Sequence, residues 1–241
     1  MAKKIKILFL AANPVNVKSR LKLEQEYNQI REKLRASEER DAFKLRAEWA
    51  VTPDNLSYYL LTHKPHILHF SGHGSQSQGM ALEDQLGNIF LLDTQAFAEL
   101  LKIVKDNIRI VLLNACYTTD QARLLTETID FTVGMNKPIG DRAASVFAAH
   151  FYQGLAHGRS VQEAFRLATV QLKEFKIPEA DTPELLVRYG VDPNEIILVN
   201  KPPKAEGVRN HPTSSPTPEG GIRIKNKDTV IQGDQGGIIN K

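Results

Sequence analysis

The sequence holds a single cysteine, Cys116, among its 241 residues. One thiol closes no internal disulfide, which excludes the small cross-linked secreted class and fits a reducing compartment. No apolar run approaches the ~20 residues needed to span a bilayer. No export signal is read at the start, where Met1-Ala2-Lys3-Lys4 leads straight into a strand, so the expected location is cytoplasmic, with no membrane contact. No glycine follows that first strand, KIKILFLA, which stops at Ala12-Asn13-Pro14; this excludes a dinucleotide fingerprint and a phosphate loop, and no cofactor is expected. Strong charge is also missing. The net +3 lies entirely beyond Asn200, and residues 1–199 carry as many acids as bases, which is not the footprint of a nucleic-acid binder. Tryptophan occurs once, Trp49, and is expected to pack at a strand end rather than to stack a substrate.

What is present is a globular composition, 41% hydrophobic and 24% charged. Residues 1–199 read as one α/β domain. Strands are expected over 4–11, 43–50, 66–71, 131–135 and around 110–115. A hairpin is expected from 80–83 and 88–92, and helices over 21–34, 53–63, 94–105, 120–128, 141–152 and from Ser160 onward. The order argues for a mostly parallel central sheet with helices on both faces. A short closing segment is expected at 182–188 and a last strand at 195–199. Residues 200–241 change character, holding five of the 12 prolines and six of the 15 glycines. They read as a flexible tail whose tip has strand-forming potential.

Two stretches organise the domain. Ile110 to Ala115 is apolar except for Asn114, as in a strand buried on both faces, and it ends in Asn114-Ala115-Cys116. Ile67 to Phe70 is a second apolar run and ends in Ser71-Gly72-His73-Gly74. Open α/β sheets place their chemistry at the carboxyl ends of such strands. If the strands are parallel neighbours, His73 and Cys116 meet. An imidazole beside a thiol can take its proton, giving the nucleophilic thiolate, and return it to a leaving amine. The amides of Gly74 and Cys116 would then form an oxyanion hole. Each residue has a plainer reading. A lone cysteine on a strand is usually a small buried hydrophobe. His69 reads as a satisfied core or supporting histidine. A zinc site from His69, His73 and Cys116 lacks a fourth ligand and the paired-cysteine spacing. Asp141 opens a helix and reads as its N-cap.

At these residues the chain resembles the caspase-like cysteine peptidases, a group that also includes separases, gingipains and metacaspases, and within it the bacterial CHAT domains. The resemblance rests on strand-Ser-Gly-His-Gly followed by strand-Asn-Ala-Cys and spans about residues 5–187. It implies a caspase-like three-layer sandwich and a His73/Cys116 dyad that hydrolyses peptide bonds in a protein substrate. It places Asp141 in the pocket for the residue before the scissile bond, where a carboxylate favours Arg or Lys; Met135-Asn136-Lys137 departs from the aromatic-rich segment common there. It further implies activation by a sensor or regulatory protein in a bacterial conflict or defence system, with contact expected through residues 200–241. The alternative is a catalytically silent interaction module that keeps the fold and acts through its tail.

Overall fold

The computed structural model describes residues 4–75 and 79–199. Five strands rich in aliphatic residues pair in parallel: β1 (Ile5–Ala12), β2 (Phe43–Glu48), β3 (Ile67–Gly72), β7 (Ile110–Asn114) and β8 (Phe131–Met135). A last strand, β9 (Pro183–Val187), adds antiparallel to β8. The order across the sheet is β2-β1-β3-β7-β8-β9. A small antiparallel sheet of β4 (Gly74–Ser75), β5 (Gly79–Glu83) and β6 (Ile89–Leu91) grows directly from the end of β3.

The period of two along the central strands divides the core. Leu8, Leu10, Leu68, Phe70, Val111 and Leu113 face one way, onto α2 (Pro53–His63), α3 (Thr94–Val104) and α4 (Thr119–Leu125). Ile7, Phe9, Ile67, Ile110 and Leu112 face the other way, onto α1 (Leu23–Arg35), α5 (Asp141–Ala156) and α6 (Val161–Glu174). The result is three layers, a sheet between two helical sides.

Helix boundaries follow local chemistry. Thr52 and Asn55 form a capping box at α2, with Pro53 in the first turn, and Lys64 in the left-handed region ends the helix. Ser160 and Glu163 do the same for α6. Asp93 accepts from the Ala96 amide at the start of α3.

Four expectations need correction. Residues 195–199 form no strand; Ile197 makes one isolated bridge to Ser160, because the segment reaches only a helix start and no sheet edge. Trp49, read as core packing at a strand end, does stand just past β2 but is 41% exposed and packs at the rim of Phe9 and Tyr27 rather than in the core. Ser75 and Gly79, read as the ends of a small polar loop, pair with each other as part of β4 and β5. Asp141 is not the N-cap of α5: Gly140 holds that position and Asp141 is the first helical residue. Residues 200–241, where the tail is expected, lie outside the described residues. Among the described residues no helix is long and apolar enough to cross a membrane.

Candidate active site

The register of β3 and β7 builds the site. Ser71 pairs with Asn114 as the last matched residues of two parallel neighbours. His73 and Cys116 each stand two places further on, so the two strand ends carry them side by side, with strands roughly 4.8 Å apart. Both residues are half-buried and, with Asp141, line one hollow of about 30 Å³. That volume admits a water or two and no peptide side chain. Leu21 and Leu23 close it from above α1, and Ile139 from the approach to α5.

The backbone around Cys116 is tightly set. A Cβ on Gly74 would lie 2.2 Å from the Cys116 carbonyl oxygen and 3.1 Å from its amide nitrogen, so only glycine allows this packing. The Ala81 amide donates to the His73 carbonyl, which makes Gly74–Met80 a non-hydrogen-bonded pair; the ladder leaves the Gly74 amide unused. Tyr117, just after the cysteine, has φ of 57°. A left-handed non-glycine residue costs about 1–2 kcal/mol, and strain of this kind concentrates at functional turns. Thr118 fixes the turn: its hydroxyl lies 2.9 Å from the Leu113 and Ala115 carbonyls and accepts from the Met135 amide at 3.0 Å.

The Cys116 sulfur receives the Ile139 amide at 3.4 Å and faces the Ile139 carbonyl at 3.8 Å. The His73 ring donates to the Ser19 backbone carbonyl, and its buried Nε2 has no hydrogen-bond partner among the described residues. Burial pushes the imidazole below its usual value, and the Asp141 charge and the Ser19 carbonyl oppose that shift. His73 is therefore neutral at neutral pH, the state a base requires. Ser19 is delivered by the loop after β1. The Asn13 side chain closes this loop by bonding both the amide and the carbonyl of Leu21.

Behind the strand ends lies a buried carboxylate that sequence reasoning missed. Glu26 of α1 is 3% exposed. It accepts from the Ser71 hydroxyl at 2.7 Å and from the Asn114 side-chain amide at 2.6 Å. His69 brings Nε2 to 2.9 Å from the same carboxylate, too far off the N–H axis to count as a hydrogen bond, and its Nδ1 lies 3.2 Å from the Tyr152 hydroxyl. Burial and the Glu26 charge hold the Tyr152 hydroxyl protonated, well above its ordinary range. Helical spacing carried a signal: Leu23, Glu26, Ile30 and Leu34 make one buried stripe, with an acid in an apolar row. Both His69 nitrogens are thus directed away from Cys116, and among the described residues no group of three His, Cys, Asp or Glu could hold a metal ion.

Comparison with known proteins gives the family and the fold. The CHAT domain model matches residues 9–213. A protein of Gillisia limnaea described as a probable protease is 26% identical over 178 residues, covering 73% of this chain and 31% of the relative. A Roc-COR-CHAT protease of an unknown prokaryotic organism is 27% identical over 180 residues, covering 72% of this chain and 17% of the relative. The chain thus spans less than a third of the length of either. Among solved structures, caspase-1 of Spodoptera frugiperda superposes with a TM-score of 0.50 at 10% identity, covering 77% of this chain and 86% of the other. The Arg-specific cysteine proteinase gingipain R gives 0.52 at 12% identity, covering 80% and 47%. The fold is caspase-like.

Proposed function

The chain belongs to the CHAT domain family, and from that premise we propose that it is a cysteine endopeptidase working through His73 and Cys116. The observation that carries this reading is the β3–β7 register, which sets an imidazole and the sole cysteine on adjacent strand ends in one hollow. His73 removes the thiol proton, and the thiolate attacks the carbonyl carbon of a peptide bond. The Gly74 and Cys116 amides hold the oxyanion, each such donor contributing about 3 kcal/mol in related chemistry. His73 then protonates the leaving amine, and water hydrolyses the thioester.

Asp141 receives the side chain before the cut and favours Arg or Lys. In support, it lines the same hollow as Cys116 and leaves the capping role to Gly140. The hollow is too small for such a side chain as it stands, which supports a resting state that a partner protein opens. In this proposal the partner is a sensor of a bacterial defence system, contacting residues 200–241.

The test is labelling of the full chain by peptide chloromethyl ketones that differ only in the terminal residue. Arg and Lys ketones should modify Cys116 fastest, and Asp141→Asn should remove that preference. Equal rates for acidic, small and basic ketones would remove Asp141 from the pocket. No labelling of Cys116 by any of them fits the closed resting state and the catalytically silent module alike; alkylation of Cys116 by iodoacetamide that does not depend on His73 would then decide for the module.

A further inference from the structure

We propose that Glu26 is a positioning residue that sets the approach of His73 to Cys116, an inference that rests on those two residues forming the working pair. Its two hydrogen bonds end on matched residues of the two strands. Ser71 is two residues before His73, and Asn114 is two residues before Cys116. They are also register partners across β3 and β7. One carboxylate from α1 therefore grips both strands at the same level, immediately beneath the two chemical groups, with Oε2 on Ser71 and Oε1 on Asn114. Strand periodicity puts His69 and Ser71 on one face of β3 and Asn114 on the matching face of β7, and Cys116, in the turn just past β7, packs on that same side. The Asn114 amide also reaches the Ala144 carbonyl at 3.2 Å, so α5, whose first residue is Asp141, joins the same grip.

Stability does not account for this arrangement. A carboxylate removed from water is costly to bury, and apolar side chains of similar volume generally fill such a site at no loss. What the carboxylate supplies is geometry: two charge-assisted hydrogen bonds, short and directional, that fix the separation of two strand ends. Glutamine keeps the shape but not the charge: its oxygen can accept from Asn114 while its NH2 donates to the Ser71 hydroxyl, and the two bonds become neutral, longer and weaker.

The test measures alkylation of Cys116 by iodoacetamide from pH 5 to 9 on the full chain, read by intact-protein mass spectrometry. It requires neither a substrate nor an activator. Four forms are compared: wild type, Glu26→Gln, His73→Ala and the double variant. We expect Glu26→Gln to slow alkylation near neutral pH about tenfold and to flatten the pH profile as His73→Ala does. In the double variant the Glu26 change should add nothing, because it acts through His73. A Glu26→Gln effect of equal size with and without His73, or no effect, overturns the inference and leaves the His73–Cys116 pair standing. A His73→Ala chain as reactive as wild type overturns both. If Glu26→Gln fails to give a cooperative thermal transition, Ser71→Ala takes its place. It removes one grip and no charge, and should slow alkylation a few-fold with the same dependence on His73; a His73-independent loss would again overturn the inference.

Discussion

The two faces of β1, β3 and β7 are built from the same strands, yet only one carries chemistry. Towards α2, α3 and α4 they present Leu8, Leu10, Leu68, Phe70, Val111 and Leu113, all hydrocarbon. Towards α1 and α5 the lower half is equally apolar, with Ile7, Ile67, Ile110 and Leu112, but the carboxyl ends turn polar at His69, Ser71 and Asn114. One face holds the sheet together through area removed from water. The other gives up part of that area to bury a carboxylate, a histidine, an amide and two hydroxyls directly under His73 and Cys116. Substitutions on the two faces should therefore separate stability from reactivity.

The widest separation is expected at the strand ends. His73→Ala should lower peptide turnover by about 10²–10⁴-fold, the usual worth of a general acid–base group, with little shift in the melting transition. Kinetics and calorimetry on the same sample check both halves. Leu68→Ala on the apolar face should do the reverse. Leu68 is fully buried, so the truncation should cost about 2–5 kcal/mol while Cys116 in the folded fraction alkylates at the wild-type rate. Chemical denaturation with parallel alkylation decides it. Gly74→Ala belongs to both classes. Its Cβ would collide with the Cys116 carbonyl, so the loop must shift at a cost of about 1–3 kcal/mol, and ketone labelling should fall with it. Retained labelling would mean that the two backbones need not touch.

Smaller effects follow from titration. Burial, the larger cause in each, lowers both His73 and His150 from their usual 6.5. The unfolded chain then takes up these protons first as the pH falls. The stability involved is intact above about 6.5 and declines as the pH drops below it towards the folded-state values. Melting temperatures measured from pH 8 to 5 should show this fall, and the His73→Ala/His150→Ala chain should show less of it. Asp141 raises the His73 value, so Asp141→Asn should move the acidic limb of Cys116 reactivity to lower pH. A limb that stays in place would separate Asp141 from the imidazole electrostatically.

The strands and their ends were legible because a buried parallel strand is an unbroken apolar run, and a run that stops at Gly-His-Gly or Asn-Ala-Cys announces where it stops. Phe131–Met135 was readable to the residue for the same reason. Glu26 was missed although its spacing carried a signal. In a helix dense with Glu and Lys an acid reads as solvent-facing, and the fold was needed to show that it is buried in the stripe of Leu23 and Ile30. The Ser19 carbonyl was beyond reach in principle, since a backbone group has no side-chain identity to notice. Residues 195–199 misled because four apolar-leaning residues suit a strand or a helix-side contact equally well. Asp141 misled in the opposite sense: an acid at a helix start reads as a cap, whereas Gly140 takes that place and leaves the carboxylate near His73.

The central claim is that His73 and Cys116 act as one unit, and competitive labelling of wild type and His73→Ala by a single basic peptide ketone, read by tryptic mass spectrometry, tests it most directly. The account predicts that all label lands on Cys116, that it forms at least about a hundredfold faster with His73 present, and that Cys116→Ala takes none. Equal rates with and without His73, or label on any other residue in wild type, would contradict it.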